Sequence, residues 1–128
     1  MGQPGLSPTQ AAGSRAEHYA AGILLRSGWI VLEYNFLVPR MGEIDLIARQ
    51  GEDVVFVEVK ARHSGLAADA AYGGARHAIG RRKRQRIERC TQVWLKRHPG
   101  VVWRPHLLAV LVEWDDNGQI IGYELRPF

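Results

Sequence analysis

Polar and apolar positions alternate through Glu43-Ile44-Asp45-Leu46-Ile47, break at Gln50-Gly51-Glu52-Asp53, and resume in Val54-Val55-Phe56-Val57-Glu58-Val59-Lys60. Period-two alternation is the mark of a half-buried strand, and a glycine between two such runs marks a hairpin. Centring the turn between Gly51 and Glu52 places Gly51 at the positive-φ first position of a type II′ turn. Asp45 then faces Glu58, and Glu43 faces Lys60. The reverse face reads Ile44, Leu46, Ala48, Val55, Val57 and Val59, which is apolar throughout and therefore expected to be core.

The flanking patterns supply the remaining elements. Ser7 or Thr9 can cap a helix that runs to about Ser27 and ends at Gly28. Glu17, Ala20, Ala21 and Leu24 fall on one face of it. Trp29–Val38 is rich in aromatic and β-branched residues and predicts a strand. Ile87, Thr91, Trp94 and Leu95 keep helical spacing in a basic segment ended by Pro99-Gly100. A strand around His106–Trp114 follows, then Asp116-Asn117-Gly118 as a type I′ hairpin turn, then a strand over Gln119–Leu125. Residues 1–8 read as a flexible tail before one domain over 9–128. The Gly- and Ala-rich stretch 63–75 reads as a loop, either a flap over substrate or a disordered connection. The order helix, three strands, helix, two strands makes an α/β fold with a central mixed β-sheet flanked by helices. The strand after the basic helix is expected to pair in parallel, from the right-handed crossover rule together with a family resemblance of the central motif and not from any residue pattern.

The charged face of the central hairpin is where chemistry concentrates. Two carboxylates opposed across a ladder repel. Adjacent strands lie about 4.8 Å apart, so Asp45 and Glu58 can share one cation. Mg²⁺ takes one or two carboxylates and leaves positions for water and a phosphate oxygen. The carbonyl of Val59, between the two site residues of its strand, is a further ligand candidate. Lys60 is placed to meet a phosphate or a metal-bound water. Against this stands a solvated strand face, with Glu43 and Lys60 as an ordinary ion pair. Like charges in register favour the site.

Asp45 followed by Glu58-Val59-Lys60 resembles the PD-(D/E)xK signature of restriction-endonuclease-like nucleases. Gly13-x-x-Ala16-Glu17, Gly42-Glu43-Ile44-Asp45-Leu46-Ile47-Ala48 and Phe56-Val57-Glu58-Val59-Lys60-Ala61-Arg62, with Lys83 and the terminal Phe128, resemble the YraN-like family of uncharacterised bacterial proteins. That family is similar to Holliday-junction resolvases. The resemblance implies a restriction-endonuclease-like core and a divalent-metal-dependent endonuclease acting on DNA, with Mg or Mn as cofactor. It implies that Glu17 reaches the metal site from the first helix; the alternative is a stripe-edge glutamate that snorkels to solvent. It also singles out Lys83. A homodimer enters by analogy with junction resolvases. The chain departs from its relatives where Arg104-Pro105-His106 replaces an Arg-Phe-Asp pattern and where Tyr123 replaces a histidine.

Composition bears on partners. The net charge is +4, and nine of the seventeen Lys and Arg residues lie between Arg76 and Arg97 with one acid, Glu88. A solvated basic face is the plain alternative, but beside a carboxylate site a phosphate track through Arg62, Arg81, Arg82, Lys83 and Arg86 is the better reading. Arg40 is a further phosphate candidate in a turn. The single cysteine, Cys90, excludes an internal disulfide and a Cys-rich zinc site, and reads as a small buried residue. No signal segment and no long apolar run is present, so a cytoplasmic protein with no membrane partner is expected. The rival function is a non-catalytic nucleic-acid-binding module that retains the nuclease fold, and a third is a protein–protein adaptor.

Overall fold

Among the described residues, two helices each bury one stripe, on opposite faces of one five-stranded sheet. The computed structural model describes residues 8–64 and 79–128, with side chains from residue 14 onward in the first helix. The elements are α1 (Pro8–Arg26), β1 (Ile30–Val38), β2 (Gly42–Gln50), β3 (Asp53–His63), α2 (Arg81–Arg97), β4 (Arg104–Trp114) and β5 (Ile120–Pro127). The strand order is β1-β2-β3-β4-β5, with β3 and β4 parallel and the other neighbours antiparallel. This is the α/β architecture that the element order and the resemblance lead one to expect. The expected cap Ser7, the tail up to residue 7 and most of the 63–75 loop lie outside the described residues. So does the start of the basic segment at Arg76. Among the described residues, no helix is long and apolar enough to cross a membrane.

Small residues let α1 lie close to the sheet. Ala16, Ala20, Ala21, Ile23 and Leu24 pack on Leu46, Ala48, Val55, Val57, Val110 and Val112. α2 covers the other face, where Cys90 and Trp94 pack with Phe36, Val38, Ile44, Ile47, Val54 and Phe56. Trp94 meets Phe56 edge-on at 5.5 Å, stacks on His98 at 3.9 Å, and donates its indole N–H to Glu33. A buried Trp needs such a partner, and here it joins α2 to β1.

The central hairpin keeps the expected register from Gln50↔Asp53 to Leu46↔Val57, and Gly51 takes φ 61° at its turn. Beyond Leu46 two expectations are corrected. The ladder stops before Asp45 and Glu58 can pair. In addition, Ile44 packs on the α2 side, although Leu46 and Ala48 pack on the α1 side. The cause lies in β1. Asn35 adopts φ 52°, and the β1–β2 ladder passes from Tyr34↔Leu46 to Phe36↔Ile44 without Asn35 or Asp45. A left-handed residue inside a strand reverses its alternation, and Asn tolerates that conformation better than most. The β4–β5 turn is a third correction. Asn117 is not at positive φ, so no type I′ turn forms. Instead the Asp115 carbonyl accepts from the Gly118 N–H, and the Asp115 carboxylate accepts from the N–H groups of Asn117 and Gln119. An aspartate that binds the backbone ahead of it outcompetes the Asn-Gly preference.

Trp94 is the largest fully buried side chain. Replacing it with alanine leaves a cavity and an unpaired Glu33, so Trp94→Ala is expected to lower stability by about 3–5 kcal/mol, measurable by urea denaturation.

Candidate metal and phosphate site

The break in the sheet at Asp45 is the centre of the site. Asp45 has no ladder partner on either side, and its Oδ2 accepts the Val59 N–H at 2.7 Å. A side chain thus takes the place of a backbone carbonyl, and the hairpin opens there. Because β1 and β2 swap faces at this level, Glu43 turns to the α1 side. Glu17 of α1, Glu43 and Asp45 each offer a carboxylate oxygen within 4.8 Å of the others. The Asn35 side chain hydrogen-bonds Glu17. The strained residue of β1 therefore also positions a carboxylate.

Glu58 approaches from the other side. It is 5% exposed, and its charge is met by an ion pair to the ammonium of Lys83, the third residue of α2. A cleft of about 260 Å³ opens over Gly42, Glu43, Asp45 and Glu58, with Lys83, Arg86 and Ile87 as its other wall. Lys60 is half-buried two residues beyond Glu58. Glu43 does not come opposite Lys60 as expected, and the alternative of an ion pair between them does not form among the described residues; Glu43 joins Glu17 and Asp45 instead.

The electrostatics follow from that crowding. Burial, reinforced by the Glu58 charge, pushes the Asp45 carboxyl up to about 7, against the opposing effect of the Val59 N–H. Burial and then Glu43 raise the Glu17 carboxyl, partly offset by the Asn35 hydrogen bond. Burial pushes the Cys90 thiol up, as suits an inert core cysteine.

The remaining candidates fall in several places. Arg81, Arg82 and Arg86 are exposed on the first turns of α2, with Arg86 lining the cleft. Arg62 donates to Glu113 of β4 at 2.6 Å, directly across the parallel ladder and away from the cleft lining. Arg40 is exposed in the β1–β2 turn at φ 65°. His18 is exposed and contacts the carbonyl of Ser14. At the opposite end of β3, Arg104 and His106 both bind Asp53. Arg104 first, and then His106, holds that carboxyl well below the usual range. Tyr123 meets Tyr19 edge-on at 5.9 Å. Two site residues escaped the sequence reasoning. Glu43 carried a signal, since alternation placed it on the same face as Asp45. Asn35 carried only its residue type, unusual in an apolar strand.

The raised Asp45 carboxyl fixes the sign of a pH dependence. Unfolded, it titrates near 3.8; folded, near 7. Stability from this group is complete below the unfolded value and is lost as pH rises through the folded one. Asp45→Asn keeps an acceptor for the Val59 N–H and removes the charge. Thermal denaturation in EDTA at pH 8 is expected to show this variant melting above the wild type. Each ~1 kcal/mol gained corresponds to about 4 °C for a domain of this size. The variant is also expected to show a flatter decline between pH 4 and 7.

Comparison with other proteins places the chain in a family. A UPF0102 protein of Halorhodospira halophila is 47% identical over 89 residues, covering 69% of this chain and 68% of that one. One from Bordetella petrii is 43% identical over 101 residues, covering 76% of this chain and 59% of the relative's length. One from Vibrio campbellii is 33% identical over 119 residues, 93% of each chain. The family's own pattern matches residues 16–112, a span that includes every carboxylate of the site. The chain belongs to the family described as Uncharacterised protein family UPF0102.

Proposed function

We propose that this protein is a divalent-metal-dependent endonuclease that hydrolyses phosphodiester bonds in DNA. One observation carries the reading: at a break in the sheet Glu17, Glu43 and Asp45 bring carboxylate oxygens within 4.8 Å of one another, and Glu43, Asp45 and Glu58 face a cleft whose other wall is Lys83 and Arg86. A group of carboxylates with Asp45 pushed up to about 7 is a donor set short of positive charge. Hard oxygen donors of this kind suit Mg²⁺ or Mn²⁺. Asp45, Glu58 and the Val59 carbonyl would hold the ion, with Glu17 and Glu43 beside it. Such an ion polarises a phosphoryl oxygen and lowers the pKa of a bound water.

The protein's own groups do the rest. Lys60, on the same side of β3 as Glu58, orients the attacking water or takes its proton, and steadies charge that develops on the phosphate. The water oxygen forms its bond to phosphorus as the bond to the leaving sugar oxygen breaks. Arg81, Arg82 and Arg86 hold backbone phosphates on either side, which positions substrate without reading sequence. The Val59 N–H holds Asp45 in place through the cycle.

The alternative, a nucleic-acid-binding module that keeps the fold without catalysis, draws on the ion pair between Lys83 and Glu58, which neutralises one carboxylate without any metal. Cleavage of labelled duplex, single-stranded, flap and four-way-junction DNA in Mg²⁺, Mn²⁺ or EDTA separates the two. Asp45→Ala and Lys60→Ala are each expected to lower the metal-dependent rate by about 10²–10³-fold or more, with the far-UV spectrum unchanged. DNA binding with no cleavage of any substrate in either metal selects the binding module.

A further inference from the structure

The nuclease reading leaves the pair between Lys83 and Glu58 without a purpose. Among the described residues, Glu58 is the site carboxylate that pairs with a lysine or arginine, and at 5% exposure it needs a cation. The cation is a lysine whose side chain is 42% exposed, on a flexible stem that can turn outward. Its helix has reason to offer it elsewhere. Arg81, Arg82, Lys83 and Arg84 fill the first turn of α2, with no acid there, and Gly80 supplies no side-chain cap. Positive charges at the positive end of a helix are unfavourable. Arg84 is relieved by Glu88 at 2.9 Å and Lys83 by Glu58, while Arg81 and Arg82 stay exposed.

Resting on the nuclease reading, we propose that Lys83 is the resident counter-cation of Glu58, and that it passes from the carboxylate to a substrate phosphate when a divalent cation takes Glu58. An ion with two charges satisfies Glu58 and Asp45 together, which the single charge of Lys83 does not. Once Glu58 is engaged, the ammonium gains more from a phosphate across the same cleft, beside Arg86. The exchange makes metal and nucleic acid raise one another's affinity, because coupling between two ligands is reciprocal. It also keeps the buried carboxylate paired while the metal is absent.

Mn²⁺ titration of the whole chain at pH 8, followed by calorimetry and by the electron-spin signal of free Mn²⁺, tests the competition directly. Lys83→Met is expected to bind Mn²⁺ about tenfold more tightly than the wild type, and Lys83→Arg to match the wild type. Equal or weaker binding by Lys83→Met overturns the exchange and leaves the nuclease reading standing; no Mn²⁺ binding by either protein overturns both. A second measurement needs no variant. Acylation of wild-type lysines by an amine-reactive ester, read by mass spectrometry, is expected to speed up several-fold at Lys83 when Mn²⁺ saturates the site. Lys96, exposed at the far end of α2, serves as the internal reference. A Lys83 rate unchanged by bound Mn²⁺ means that the pair is a fixed strut between helix and sheet, and overturns the proposal.

Discussion

The hydrogen bond from the Val59 N–H to the Asp45 carboxylate is the constraint around which this molecule is arranged. A sheet closes its ladder with backbone carbonyls, and here a side-chain oxygen stands in for one. Several features share the geometry of that substitution. β2 separates from β3 beyond Leu46, β1 turns through a left-handed Asn35, and the apolar alternation of both strands reverses. The resulting gap lets carboxylates reach one place from both faces of the sheet. In an unbroken sheet Glu17 of α1 and Glu58 of β3 would be separated by the sheet's own thickness.

That arrangement gathers negative charge around a buried Glu58 and a half-buried Asp45, and the α2 helix supplies the opposing charge. Ile87, Cys90, Thr91 and Trp94 bury one side of α2, so its other positions are free to be basic without loss of packing. Trp94 sets the depth of the helix against Phe56 and, through Glu33, against β1. The depth in turn brings Lys83 onto Glu58. Core packing at one end of the helix therefore determines electrostatics at the other.

The end of the sheet away from the cleft is arranged for a different purpose. Arg104 and His106 bind Asp53 where β3 and β4 begin, which marks the start of the parallel pairing. These pairs are exposed and contribute little energy. The Arg104-Pro105-His106 stretch lies here. His106 lies opposite Val55, about 10 Å along the strand from Glu58.

Local rules made the hairpin legible in the sequence. Alternation, Gly51 and the two apolar runs require no distant partner, and they returned the register from Gln50↔Asp53 to Leu46↔Val57. The stripe of small residues in α1 and the helical spacing through Trp94 were equally legible, because amphipathic periodicity records which side will be buried. Asp45 and Glu58 stood out because the expected register set two like charges opposite one another, and Lys60 because it lies two residues beyond Glu58 on the same strand. Other features depend on atoms that the sequence does not bring together. The role of Glu43 turns on the reversal at Asn35, which requires β1 and β2 to be paired before it has any consequence. The Asp115 turn turns on a competition between side-chain and backbone acceptors. The pairing of Lys83 with Glu58 depends on how deeply Trp94 seats α2. Alternation and helical spacing in the sequence set the elements, the buried stripes of the two described helices and the residue types available for chemistry. The tertiary structure decided which charges meet, since that is set by strand pairing and helix depth, and these exist only once the chain is packed.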